Sequence, residues 1–309
     1  MVDLKGKDIL DGAQFTREDT EHIMAVADDF RRWLQDRPSL DLLHGYLLAA
    51  LFFEPSTRTR LSFETAMHRL GGDVIGFSSA ESSSTSKGET LADTIRTVDQ
   101  YADIIAMRHP RIGSAQEAAD VAEAPVLNGG DGAGQHPTQA LLDLYTIRDE
   151  CGAVDGKTIV LCGDLKNGRT VHAGVELYKH YGCKLILVAP DQLRMPADIV
   201  TQLRGHGMQV EETPSLETAL AGADVLYMTR IQKERFADQS EYEQLKGSYI
   251  LTREMVERIC PKLTVLHPLP RVNEITTDVD ALPNAAYFRQ VQNGVYIRMA
   301  LIALVMGKV

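Results

Sequence analysis

The chain has 309 residues, too many for one small core and enough for two α/β domains of ordinary size. Hydrophobic residues make up 44% and charged residues 24%, the profile of a globular protein rather than a disordered one. A formal net charge of -11 argues against nucleic acid or an anionic membrane as partner, and no apolar run reaches bilayer-spanning length. Residues 1–10 alternate Lys and Asp with apolar residues and carry no apolar targeting core, so a reducing, cytoplasmic location is expected.

In chain order, a helix is predicted from Thr16, where Thr16 and Asp19 form a capping-box pattern, to about residue 34. Residues 46–53 are a continuous apolar run, as expected of a strand buried on both faces. After the polar stretch 54–59 come a helix over 60–70 closed by Gly71 and Gly72, a short strand over 73–77 and a Ser-rich stretch over 78–86. A helix over 89–101 and strands over 103–107 and 125–127 follow. A Gly-rich loop, 128–134, then leads into a long helix over 137–150. A second cycle begins with a strand over 157–162, a helix over 169–181 and a strand over 184–188. Strands near 208–211, 224–228 and 264–266 follow with helices between, and an apolar helix over 293–306 closes the chain.

Alternating strands and helices imply parallel sheets with right-handed crossovers. The expected fold class is α/β, with two doubly wound parallel-sheet domains of similar size joined by long helices. The domains are expected at 1–150 and 151–289. Composition does not decide where the closing helix packs; the assignment adopted returns 290–309 to the first domain. No repeat of solenoid type is present. The four cysteines, Cys151, Cys162, Cys183 and Cys260, form no CxxC pair, and Cys162 and Cys183 fall in or beside strand-like runs as core residues. The nine histidines show no HxxxH or HExxH spacing, so neither a metal nor an organic cofactor is expected.

In doubly wound folds, ligands bind beyond the carboxyl ends of the strands. Four such segments carry unusual chemistry. In Glu54-Pro55-Ser56-Thr57-Arg58-Thr59-Arg60, Ser56 is placed to cap a helix whose first-turn amides favour a phosphate. Ser56 alone would be an ordinary N-cap. Three hydroxyls and two arginines within five residues, straight after a buried strand, argue for an anion site. Arg108, in Met107-Arg108-His109-Pro110, ends another strand; alone it is a surface arginine as often as not. His136 and Gln139 open the long helix three residues apart, on one face, within reach of one small ligand. The fourth cluster is spread over the second domain: Arg169, then Arg230 with Gln232, then His267-Pro268-Leu269-Pro270-Arg271. Its two prolines fix an extended backbone able to present carbonyl oxygens to an NH₂ group. The stretch from Gly163 to Thr170 has P-loop spacing, but Arg169 stands where that motif requires Lys.

These segments resemble the three signatures of the transcarbamoylases: Ser56 to Arg60, His136-Pro137-Thr138-Gln139, and His267 to Arg271. Lys87-Gly88-Glu89-Thr90-Leu91-Ala92-Asp93-Thr94, Met107 to Pro110 and the stretch from Met228 to Arg235 resemble the aspartate-specific branch. The likeness spans essentially the whole chain in the same order. It implies carbamoyl transfer from carbamoyl phosphate to L-aspartate, early in pyrimidine synthesis, without metal or cofactor. The first domain would bind carbamoyl phosphate and the second aspartate. By resemblance, Ser56, Thr57, Arg58 and Thr59 hold the phosphate, and Thr59, Arg108 and His136 donate to the carbonyl oxygen. Gln139 and the Leu269 and Pro270 carbonyls take the carbamoyl NH₂, while Arg169, Arg230 and Gln232 clamp the aspartate carboxylates. The resemblance further implies a homotrimer in which a Ser and Lys87 reach into the neighbouring subunit's site. Ser84 is chosen for that serine, with Ser86 as the alternative, and a regulatory chain is a candidate further partner.

Three other readings stand beside this one. The ornithine-specific branch shares the phosphate motif but typically has Cys where this chain has Pro268, and a cationic substrate needs an acidic partner. Arg169, Arg230 and Arg271 favour a dicarboxylate. A non-catalytic relative would have lost Arg58, Lys87, Arg108, His136 or Arg230, all of which are present. A P-loop nucleotide hydrolase predicts magnesium-dependent ATP turnover.

Overall fold

The computed structural model describes residues 3–82, 84–233, 236 and 238–309. Its contacts divide the chain into one unit of Met1–Leu142 with Val291–Val309, and a second of Asp143–Gln290.

Unit one opens with α1 (Arg17–Trp33), whose capping box forms as the Thr16 and Asp19 pattern predicts: the Asp19 carboxylate accepts from the Thr16 amide at 2.7 Å. There follow β1 (Leu47–Phe52), α2 (Thr57–Arg69), β2 (Asp73–Phe77), α3 (Leu91–Val98), β3 (Ile104–His109), α4 (Ser114–Ala119) and β4 (Val126–Asp131). The helix α5 (Pro137–Cys151) begins in unit one and passes into unit two at Asp143. The sheet order is β2-β1-β3-β4, all parallel, with Leu48 facing Val74 on one side and Ile104 on the other. From Leu48 to Phe52 every residue of β1 is buried, because crossover helices cover both faces of a parallel sheet. One core cluster packs Ala49, Leu51 and Met107 of the sheet against Leu91, Ile95 and Ala118 of α3 and α4. Each large apolar side chain so buried contributes about 1.5–3 kcal/mol.

Unit two continues with β5 (Thr158–Cys162), α6 (Arg169–Tyr178), β6 (Lys184–Val188), α7 (Ala197–Gly205), β7 (Gln209–Thr213) and α8 (Leu216–Leu220). It is completed by β8 (Val225–Met228), α9 (Gln239–Leu245), α10 (Arg253–Ile259), β9 (Thr264–Leu266) and the start of α11 (Tyr287–Val305), which returns to unit one at Val291. Its parallel sheet has the order β7-β6-β5-β8-β9. Both sheets place their first strand centrally and reverse direction beside it, between β1 and β3 and between β5 and β8. A doubly wound sheet opens its ligand crevice at that reversal.

The structure differs from the sequence expectation at several elements. Asn128–Asp131, expected as loop, extends β4, because Val126 and Asn128 find further backbone partners at Ile9. The helix α2 starts three residues before residue 60, α11 starts six before residue 293, and α4 had not been anticipated. The contacts divide the chain within α5, between Leu142 and Asp143, and within α11, between Gln290 and Val291. All four cysteines are free; burial pushes the Cys162 thiol well above its usual value and that of Cys183 up to about 11. Among the described residues no helix is long and apolar enough to cross a membrane.

Candidate active site

In unit one the site is built where the sheet reverses. The Phe53 amide donates to the Arg108 carbonyl at 2.8 Å, extending the β1–β3 pairing into the loops beyond both strands. Ser56 takes the N-cap position of α2, but its hydroxyl makes no capping hydrogen bond, contrary to the expectation for a Ser there. Thr57, Arg58 and Thr59 fill the first turn, with Thr57 exposed, Arg58 half-buried and Thr59 buried. Arg108, its side chain only 14% exposed, grips Glu54: Nε donates to Oε1 at 2.7 Å and a terminal nitrogen reaches the same carboxylate. Burial pushes the Arg108 guanidinium below its usual value, Glu54 opposes that shift, and the charge of Arg58 adds to it. Two guanidiniums therefore act on each other at the mouth of a helix N-terminus, a field that an entering anion relieves.

His136 and Gln139 stand at the start of α5, His136 buried and Gln139 half-buried. The preceding loop is organised by buried Asp131. Its Oδ1 accepts from the Gln135 amide at 2.7 Å and its Oδ2 from the Gly113 amide at 2.9 Å. The buried guanidinium of Arg298 in α11 donates to Ser62 Oγ at 2.9 Å and to Thr138 Oγ1 at 3.0 Å, while lying 5.0 Å over the Phe63 ring. It thereby ties α2 to α5, the two helices that carry Arg58 and His136. Lys87 is exposed at the end of a 3-10 turn, Ser84–Lys87; the side chain of Ser84 lies outside the described residues.

In unit two, the loops after β5 and β8 are joined at the reversal point. Both the amide and the hydroxyl of Thr229 donate to the Cys162 carbonyl, at 2.8 and 3.1 Å. Gly163 fits there because its φ is +123° and an added Cβ would lie 2.2 Å from the Thr229 carbonyl oxygen. Arg169 opens α6 and Arg230 lies two residues beyond β8, both half-buried. Gln232 Nε2 donates to the Asn167 carbonyl at 3.3 Å, so the Arg230 and Arg169 segments touch. The loop does not act as a P-loop cradle. Leu165 and Lys166 donate their amides to the Leu193 carbonyl, and Asn167 donates its own to the buried Asp164 carboxylate at 3.0 Å.

After β9, buried His267 leads into Leu269 and Pro270, which are joined by a cis peptide bond. Arg271, grouped in sequence with the substrate arginines, is engaged elsewhere: it forms a two-point ion pair with Asp280 and donates to the Tyr287 hydroxyl at 3.0 Å. Among the described residues, no group of three or more His, Cys, Asp or Glu side chains could hold a metal ion. A groove of about 490 Å³ opens at the amino ends of β5, β6 and β7, away from this chemistry; its Lys179 and Lys184 are paired with Glu176 and Glu211.

The structure thus sets Arg58 and Thr59 in the first turn of α2 and Arg108 at the end of β3, couples α2 to the helix that His136 and Gln139 open, and joins the Arg169 and Arg230 loops through Gln232. Sequence reasoning missed the supporting residues Asp131 and Arg298 and the partnership of Glu54 with Arg108. The Arg298 and Glu54 contacts span from 54 to 236 positions and leave no local pattern.

Residues 7–149 match the family described as aspartate/ornithine carbamoyltransferase, carbamoyl-P binding domain, and residues 155–305 match its Asp/Orn binding domain. The aspartate carbamoyltransferase catalytic subunit of Thermococcus kodakarensis is 55% identical over 306 residues, 99% of either chain. The crystal structure of aspartate transcarbamoylase from Trypanosoma cruzi in complex with carbamoyl phosphate and aspartate is 46% identical, covers 98% of both chains and has a TM-score of 0.93. The catalytic subunit of M. jannaschii aspartate transcarbamoylase is 47% identical with a TM-score of 0.91, covering 97% of this chain and 98% of that one. With both halves matched in order and the same fold recovered, the chain belongs to the aspartate/ornithine carbamoyltransferase family.

Proposed function

We propose that the chain transfers the carbamoyl group of carbamoyl phosphate to the amino group of L-aspartate, giving N-carbamoyl-L-aspartate and phosphate for pyrimidine synthesis. The observation that carries this reading is the placement of Arg58 in the uncapped first turn of α2, with largely buried Arg108 ending the strand beside the one that leads into it, an arrangement that suits a phosphate-bearing substrate. The aspartate-specific relatives support the choice of second substrate, and one of their structures holds carbamoyl phosphate and aspartate.

In this reading Ser56, Thr57, Arg58 and Thr59 hold the phosphate. Attack by the amine builds negative charge on the carbonyl oxygen, which Thr59, Arg108 and His136 stabilise as donors, each worth on the order of 3 kcal/mol of barrier. Gln139 and the carbonyls of Leu269 and Pro270 accept from the carbamoyl NH₂. Arg169, Arg230 and Gln232 bind the aspartate carboxylates, and the departing phosphate takes the amine's proton. Ser84 and Lys87 complete the site of a neighbouring subunit in a cytoplasmic homotrimer, to which a regulatory chain is a candidate addition.

The test is a product assay with carbamoyl phosphate and either amino acid. Carbamoylaspartate is expected. Citrulline from ornithine, in its place, would overturn the substrate assignment.

A further inference from the structure

The turn after β9 contains the one non-glycine residue with positive φ among the described residues, Leu269 at 56°. Side chains of L-residues rarely adopt that conformation, so neighbouring contacts must hold it. The hold comes from His267. Its Nδ1 accepts from the Leu269 amide at 2.8 Å, which requires Nδ1 to be without a proton and places the proton on Nε2. Nε2 in turn donates to Glu274 Oε1 at 2.7 Å. The other carboxylate oxygen accepts from the Val272 and Asn273 amides at 3.1 and 3.0 Å, so the returning chain anchors Glu274. The His267 amide donates to Gln290 Oε1 at 3.0 Å, fixing the backbone at the head of the turn. His267, Glu274 and Gln290 are all buried.

We propose that Glu274 is a positioning residue: through His267 it fixes the Leu269 turn and so sets the carbonyls that receive the carbamoyl NH₂. This rests on the substrate reading given above. Glu274 needs no contact with substrate; it selects the imidazole tautomer, and the tautomer selects the turn. The ligand chemistry follows directly. The turn discriminates a phosphate bearing a carbamoyl group from phosphate alone, because only the former offers an NH₂ to those carbonyls.

Glu274→Gln keeps the side chain's volume, but its NH₂ would face either the imidazole N–H or the backbone amides. In calorimetric titrations of the intact protein, this variant is expected to bind carbamoyl phosphate about tenfold more weakly. Inorganic phosphate should bind with its original affinity. General damage would weaken both ligands together, and that result, like no change in either, overturns the proposal. Leu269→Gly relaxes the turn directly, and adding Glu274→Gln to it should cost little more; additive losses would show that Glu274 acts by another route. If Glu274→Gln fails to fold, the wild-type His267 tautomer remains readable by nitrogen NMR, and a proton on Nδ1 would refute the relay. Wild-type protein that binds no carbamoyl phosphate would instead refute the substrate reading.

Discussion

Arg108 does its work through geometry as much as charge. Its guanidinium meets Glu54 at two nitrogens while lying among largely buried surroundings, and a lysine ammonium cannot reproduce that fork. Arg108→Lys is therefore expected to lower kcat on the order of 10²-fold with little change in melting temperature, since net charge and most of the packing survive. A kcat within about twofold of wild type would remove Arg108 from the carbonyl-stabilising group. Glu274 yields a different, thermodynamic prediction. Burial pushes its carboxyl up, but the hydrogen bond from the His267 Nε2–H and those from backbone amides outweigh it and hold the group below its ordinary 4.5. A depressed carboxylate contributes stability that is fully present above the unfolded value and is lost as pH falls through the folded one. In urea titrations, wild type should exceed Glu274→Gln at about pH 7, and the gap should shrink below about pH 4. A gap that widens with acid would reverse the sign of this linkage.

At the scale of elements, the site depends on helices being held at fixed separation. Arg298 in α11 bridges Ser62 of α2 and Thr138 of α5 from a buried position. Arg298→Met fills similar space but leaves two hydroxyls to find new partners, so a loss of about 1–3 kcal/mol in urea unfolding is expected. The same variant should raise KM for carbamoyl phosphate, because the starts of α2 and α5 carry Arg58 and His136. Full stability with unaltered KM would show that the helices are set by apolar packing alone. None of this was legible beforehand, since Ser62 and Arg298 are far apart in sequence. The strands β6 and β9 were placed to the residue, because a buried parallel strand writes its apolar run directly into the chain; the largely exposed edge strand β2 was placed equally well. Residues Asn128 to Asp131 were read as loop because Asn, Gly and Asp disfavour strands. Pairing with β3, and the added partner at Ile9, overrode that local preference. Ser56 misled in the opposite sense: its place at a helix start was correct and its capping role was not.

For the whole molecule, the decisive pattern was two cycles of strand and helix with basic residues clustered at strand ends in an otherwise acidic chain. Each unit repeats the same device, a sheet that reverses beside its first strand and loops from both sides of the reversal carrying the arginines. Charge concentrated in this way acts over a few ångströms, where the net charge of -11 has little influence. Assembly was accessible only through resemblance, because a chain carries no direct mark of its own symmetry. Lys87, exposed on its 3-10 turn, allows the shared-site proposal to be tested by mixing. Arg58→Ala and Lys87→Ala are each expected to abolish most activity alone. In a ring where Lys87 serves its neighbour's site, a site is intact when a Lys87→Ala chain supplies Arg58 and an adjacent Arg58→Ala chain supplies Lys87. Random co-assembly at equal expression gives that pairing at about one site in four, so about a quarter of the wild-type rate should return. If each chain completes its own site, every site carries one lesion whatever the mixture, and the co-expressed protein stays as inactive as its parents.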